Sequence, residues 1–163
     1  MSQTNYAVDP ALAYRGLLGD PNKDAVISPF ANGSGADVGF GIMVRRDATN
    51  LEDQFDNFSA TGQTPLGILV HTHATQSRAL AGSDGLEALE EASVLSKGRI
   101  WVAVEEAITV GDDVYFRHTA GTGTEIGAFR NDADTASCDQ ITNARWLQGS
   151  TGAGVALLEI NIP

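Results

Sequence analysis

One cysteine, Cys138, stands in the 163 residues. The chain therefore forms no internal disulfide, and Cys138 is expected to be a small packed residue rather than a nucleophile. Basic residues are scarce: ten Lys and Arg face 21 Asp and Glu, a formal charge of −11. A nucleic-acid binder neutralises phosphates with Lys and Arg, yet no basic run here exceeds Arg45-Arg46. Nucleic acid and anionic membrane are excluded as partners on that ground. Long apolar runs are missing too, since Gly67–Val70 and Val155–Leu158 fall far short of the roughly 18 residues of a membrane span. Met1–Asn5 lacks the basic and apolar pattern of a signal peptide, so the chain is expected to be made and kept in the cytoplasm before use. Charged residues amount to only 19%, below the roughly 25% of ordinary soluble domains.

What is abundant is glycine, 18 residues, together with Ser, Thr and Asn. Hydrophobic residues make up 42%, enough for a core, and the length suits one domain that buries roughly 70% of its unfolded surface. Residues 1–23 differ from the rest: Asp9-Pro10, Gly16, Gly19 and Asp20-Pro21 break up a stretch that carries Tyr6, Tyr14, Leu12, Leu17 and Leu18. Disordered leaders are normally poor in such residues, so this segment is expected to be an arm that packs on something. Residues 24–163 read as short strands between turn clusters. Val38–Arg45 is a strand candidate with Gly39 and Gly41 inside it, and Pro65 leads into Leu66–Thr72, where Leu66, Ile68 and Val70 share a parity. Phe30–Asp37 and the polar stretch Asp47–Thr64 are expected to be irregular. Asp84–Ala92 has helix-forming composition, with Leu86 and Leu89 at helical spacing. In Arg99–Glu106, Ile100, Val102 and Val104 fall on one face. A turn at Gly111-Asp112-Asp113 is expected to make a hairpin between Ile108–Val110 and Val114–His118. In Val155–Ile162 the apolar face is Ala156, Leu158, Ile160 and Ile162. Many short strands with turn signals and no βαβ alternation predict a mainly β chain, a single barrel or sandwich.

Candidate chemistry is thin. His71 and His73 lie two apart and would share a strand face, as a metal site requires, but a third ligand would have to come from His118 or a carboxylate; an exposed polar strand end is favoured. Asn131-Asp132-Ala133-Asp134 offers oxygens at close spacing without a terminal bidentate Glu and reads as solvated loop acids. Gly121–Thr124 and Gly149–Gly154 lack the Lys and Ser/Thr that follow a phosphate loop, and no serine sits in a Gly-x-Ser-x-Gly elbow. No catalytic, metal or cofactor residues are assigned.

Several segments, taken in order, resemble the capsid cement, or head decoration, proteins of tailed bacteriophages. They are Arg15-Gly-Leu-Leu-Gly-Asp20, Val26-Ile-Ser28, Val38-Gly-Phe-Gly-Ile-Met-Val44, Pro65-Leu-Gly-Ile68, Val94-Leu-Ser-Lys-Gly-Arg-Ile-Trp-Val102, Val110-Gly-Asp-Asp-Val-Tyr115, Ile126-Gly-Ala-Phe129, Ala144-Arg-Trp-Leu147 and Val155-Ala-Leu-Leu-Glu-Ile160. The resemblance spans nearly the whole chain and implies a non-enzymatic structural protein with a jelly-roll-like barrel. It implies a place on the outer capsid surface of the virion, assembled in the host cytoplasm, with the major capsid protein and further copies of the chain, as dimer or trimer, for partners. The family pattern also implies a strand beginning near Ala92, with a short helix left open before it. On this view Tyr6, Leu12, Tyr14, Leu17 and Leu18 of the arm are the candidate capsid or oligomer contacts. The competing view is a β-barrel module that binds carbohydrate on a virion or cell surface.

Overall fold

The alternation of Ile100, Val102 and Val104 belongs to the longest strand of the molecule. The computed structural model describes residues 13–20, 25–71 and 85–163, and among these every regular element is a strand. In chain order they are β1 (Val26–Asn32), β2 (Val38–Gly39), β3 (Met43–Arg46), β4 (Gln54–Asp56), β5 (Pro65–Val70), β6 (Gly85–Leu86), β7 (Glu91–Val104), β8 (Tyr115–Arg117), β9 (Phe129–Arg130), β10 (Cys138–Gln140), β11 (Ala144–Gln148) and β12 (Gly154–Asn161). Strand β1 pairs with β4, β4 with β3, β3 with β5, β5 with β7, and β7 returns to β1. The sheet thus closes on itself as a five-stranded barrel, the mainly β architecture expected. Closure removes the open edges that would otherwise pair with other chains.

Strand β7 outlasts the barrel. Its first half pairs with β1 and β5, and its second half pairs with β12 from Lys97↔Asn161 to Val104↔Gly154. Strand β11 pairs on the far side of β12, and β8, β9 and β10 follow through Val104↔Phe129. Two cores result. Phe30, Val44, Phe55, Leu66, Leu69, Ala92 and Val94, drawn from all five barrel strands, form one cluster. Met43, Ile68 and Leu95 face the other way and join Ile100, Val102, Phe116, Phe129, Trp146, Ala156 and Leu158 in the second.

The barrel and its extension meet at a bulge. Val26 pairs with Lys97 but Ile27 with Leu95, so Ser96 is an extra residue on β7. One extra residue reverses the faces of everything after it. Even-numbered Ala92 and Val94 therefore point into the first core, while even-numbered Ile100, Val102 and Val104 point into the second. Gly98, at φ 138°, lies just beyond the extra residue. A Cβ there would sit 3.3 Å from Leu95 Cδ1 and 3.4 Å from Ala25, in a backbone region that only glycine occupies at low cost. Gly98→Ala is expected to lower stability by about 2 kcal/mol, read as a reduced urea midpoint with an unchanged slope.

Several local expectations are corrected. Val38–Arg45 is two strands rather than one. Gly41, at φ 66°, breaks it, donating to Leu69 O and accepting from Ala103 N; a Cβ at Gly41 would lie 2.6 Å from Gly16 N. Leu66, Ile68 and Val70 do not share a face, because a register shift opposite Val44/Arg45 sends Leu66 to one core and Ile68 and Val70 to the other. The stretch left open as a short helix holds β6, a turn and the start of β7 at Glu91, close to where the family pattern puts a strand, while Asp84 lies outside the described residues. Buried Asn32 explains this: its amide donates to Leu86 O (2.9 Å) and Glu87 O (3.2 Å), carbonyls that a helix would use internally, and its backbone carbonyl accepts from Leu89 N (2.7 Å). Asn32 also extends β1 through part of the expected loop. The polar stretch Asp47–Thr64 contains β4 and delivers Phe55 and Phe58 to the cores. Finally, no hairpin joins Ile108–Val110 to β8. Ile108 bridges Ser150, and β8 pairs with β9 and β10.

Candidate functional site

The second half of β7 has two edges, and β12 occupies one. Residues 16–19 occupy the other. Gly16 N donates to Trp101 O (2.7 Å), Trp101 N to Leu17 O (2.9 Å) and Gly19 N to Arg99 O (2.8 Å), while His71 N donates to Gly16 O (2.9 Å). Gly16, at φ 82°, is wedged so closely that a Cβ would lie 2.7 Å from His71 N. Gly19 is similarly confined, 2.5 Å from Leu157 Cδ1 on the same construction. Arg15 completes the attachment, with Nε donating to Phe40 O (2.7 Å) and Nη2 to Glu125 Oε2 (2.6 Å). The Arg15-Gly-Leu-Leu-Gly stretch is thus an added strand fastened by a charged clasp.

The candidate contact residues separate along this segment. Leu18 bridges Ile100 and packs against the second core. Leu17 is half-buried, and Tyr14 is 41% exposed with its ring edge-on to His71 at 5.0 Å. Tyr6 and Leu12 lie outside the described residues.

His71 packs between Tyr14 and Phe40, and His73 lies outside the described residues. Among the described residues no three His, Cys, Asp or Glu side chains gather as a metal site requires. His118 is buried, with Nδ1 2.9 Å from Thr119 Oγ1 and Nε2 3.7 Å from the Asp139 carboxylate. Asp139 in turn accepts from the Thr61 hydroxyl and Gly62 N, tying β10 to the loop before β5. Cys138 is buried, and burial pushes its thiol up to about 11, which suppresses the reactive thiolate. Trp146 is buried with Nε1 donating to Asp113 O, and Trp101 is half-buried.

The principal polar feature was not legible in the sequence. Arg117, whose side chain is 2% exposed, donates to both Glu105 oxygens (2.7–3.0 Å) and to Asp134 Oδ2 (2.6 Å). Arg130 reaches Glu105, Glu106 and Asp132. The loop acids taken for solvated groups are therefore bound by two guanidiniums. Burial pushes the Glu105 carboxyl up, but bonds from Arg117 and then Arg130 outweigh it and hold the group below its ordinary range. The Glu105 bond comes first among the interactions that raise the Arg117 pKa. The Asp134–Ala136 turn that presents this loop runs through three positive φ angles, 39°, 55° and 68°. The one hint in the sequence is an arginine at the end of the otherwise aromatic strand Tyr115–Arg117.

A family model described as "Structural cement protein (E217 gp24/Pam3 gp6)" matches residues 2–161. The chain belongs to the phage structural cement protein family. Its fold is also similar to that of a chain from a structure titled "The capsid of Myoviridae Phage XM1", with a TM-score of 0.72 and 19% identity over 98% of this chain and 97% of that one. At that identity the likeness speaks for the fold alone. No curated protein matches the chain. Family membership gives this cement protein a structural role in the phage capsid, and it makes the clasped strand and the outer sheet face, rather than any cluster of reactive groups, the features to interpret.

Proposed function

We propose that this protein binds the outer surface of the phage head and cements the lattice of the major capsid protein, as a small homo-oligomer and without catalytic activity. The observation that carries this is the family match across residues 2–161. The physical logic is that internal pressure pulls capsid subunits apart at their seams. A rigid body that bridges a seam adds contact area there, and an oligomeric one gains effective concentration for each further contact. The closed barrel and doubly paired β7 supply rigidity. In this scheme residues 1–23 form an arm and residues 24–163 the body. Leu17 and Leu18 root the arm on the second half of β7, while Tyr6, Leu12 and the exposed Tyr14 reach the capsid or a neighbouring copy. A chain of charge −11 also keeps decorated particles apart in solution.

Purified protein should bind assembled, expanded heads and raise their resistance to heat and chelators. Failure to bind, or binding that leaves resistance unchanged, would refute the cementing role.

A further inference from the structure

The outer face of the β7–β12–β11 sheet concentrates positive charge in an otherwise acidic chain. Arg99, Glu159 and Arg145 stand side by side across the three strands, since Glu159 pairs with both arginines in register. Arg99 Nε donates to Glu159 Oε1 (3.0 Å) and Arg145 Nε to Glu159 Oε2 (2.6 Å). Lys97 lies one row along, opposite Asn161, is exposed, and makes no ion pair among the described residues. These groups line one open cleft of about 650 Å³ together with Thr142 and Asn143. Three cations and one carboxylate leave an excess of two positive charges here, against −11 for the whole chain. Arg99 and Arg145 share the single carboxylate of Glu159, whereas the other described arginines have acids of their own or a ring partner. Arg15, Arg45, Arg117 and Arg130 are each paired with acids, and Arg46 lies over the Phe30 ring.

Three further features suit this face to an extended protein segment. Strand β11 pairs only with β12, so among the described residues its outer edge has no partner strand and could take an added one. Arg145, on that strand, keeps a side chain 69% exposed despite its bond to Glu159. The cationic rows are flanked by apolar ones: Val26, opposite Lys97, is 49% exposed, and Trp101 and Leu157 form a half-buried pair beyond Arg99. A polyanion such as nucleic acid would meet the surrounding acids over its whole length. A short acidic stretch would meet only the cleft, because distant acids are screened beyond about 8 Å at physiological salt.

We infer that this cleft docks an acidic, extended segment of the capsid shell protein, with Lys97 and Arg145 pairing its carboxylates and the edge of β11 pairing its backbone. The choice of partner rests on the cementing role. The probe is a fluorescent glutamate decapeptide, followed by anisotropy at low salt and at 0.5 M salt, alongside head binding. Wild-type protein should bind the peptide and release it in high salt. The Lys97→Gln/Arg145→Gln double variant should bind peptide and heads at least tenfold more weakly. Ala48→Glu, which adds negative charge on the exposed β3–β4 loop outside the cleft, should bind both as wild type does. Absence of peptide binding by wild type, or equal binding by the double variant, overturns the inference even when heads are bound. Salt-sensitive peptide binding that the double variant loses, without head attachment by wild type, instead keeps the cationic cleft as a site for acidic peptides and overturns the cementing role.

Discussion

Deletion of residues 1–20 is expected to destabilise the protein by about 4 kcal/mol and to make it aggregate, whereas deletion of residues 1–12 should cost markedly less. The longer cut removes the four backbone hydrogen bonds that Gly16, Leu17 and Gly19 share with β7 and His71, each with a net value of about 1 kcal/mol. It also strips Leu18 from the second core and uncovers the edge of β7 beside Trp101. An uncovered edge strand is a template for another chain. The shorter cut retains every one of these contacts and the Arg15 clasp. Thermal unfolding and light scattering of the two truncations give the comparison. Equal stability for both would mean that residues 16–19 are not part of the folded body. If the arm carries capsid contacts, the shorter cut is also the informative one for attachment, because it removes Tyr6 and Leu12 while keeping the pairing of residues 16–19 with β7.

Arg117→Ala should cost about 3 kcal/mol, since removing one partner of a buried ion pair leaves the other charge without its compensation. Glu105 would retain Arg130, which limits the loss, and Arg117→Lys should recover only part of it because an ammonium cannot reach both Glu105 oxygens and Asp134 at once. The network also sets a pH dependence. Glu105 and Asp134 are both held below their ordinary values, Glu105 by its two arginines against the opposing effect of burial and Asp134 mainly by its bond from Arg117. A depressed carboxylate pKa stabilises the folded chain fully above the unfolded value, here near 4.5 for Glu105 and 3.8 for Asp134, and that stabilisation is lost as pH falls through the folded value. Urea midpoints should therefore drop below about pH 4.5, and by less in Arg117→Ala than in wild type. Parallel profiles for the two proteins would show that the network does not govern acid stability.

Where one sheet face is buried and the register runs unbroken, the pattern was readable: Ala156, Leu158 and Ile160 of β12 and Ile100, Val102 and Val104 of β7 all lie in the second core. Where a bulge intervenes, alternation misleads, as it did for Leu66, Ile68 and Val70, because periodicity carries no mark of an extra residue. Pairing partners were equally hidden. The Gly111–Asp113 turn looks like a hairpin, but Ile108 finds Ser150 and β8 finds β9, choices set by packing far along the chain. The arm could be read as one that packs, from its Tyr and Leu. Its seat on β7 could not, since Gly16 and Gly41 matter through the side chains they lack. Arg99, Arg145 and Lys97 are scattered in sequence, and only the β7–β12–β11 register brings them into one cleft.

The central position of β7 also governs how the molecule is made. Its second half has residues 16–19 along one side, synthesised before it, and β12 along the other, synthesised well after it. Until β12 emerges, one side of β7 and part of the second core stay open to water and to other nascent chains. Such distant pairings close slowly, because the loop entropy is lost before the contacts form. Folding of the extension therefore waits on the synthesis of β12, and the outer face of the β7–β12–β11 sheet does not exist for any partner before that moment. Any attachment through that face is in that sense ordered in time by the topology: synthesis of β12 comes first, then closure of the sheet, then attachment.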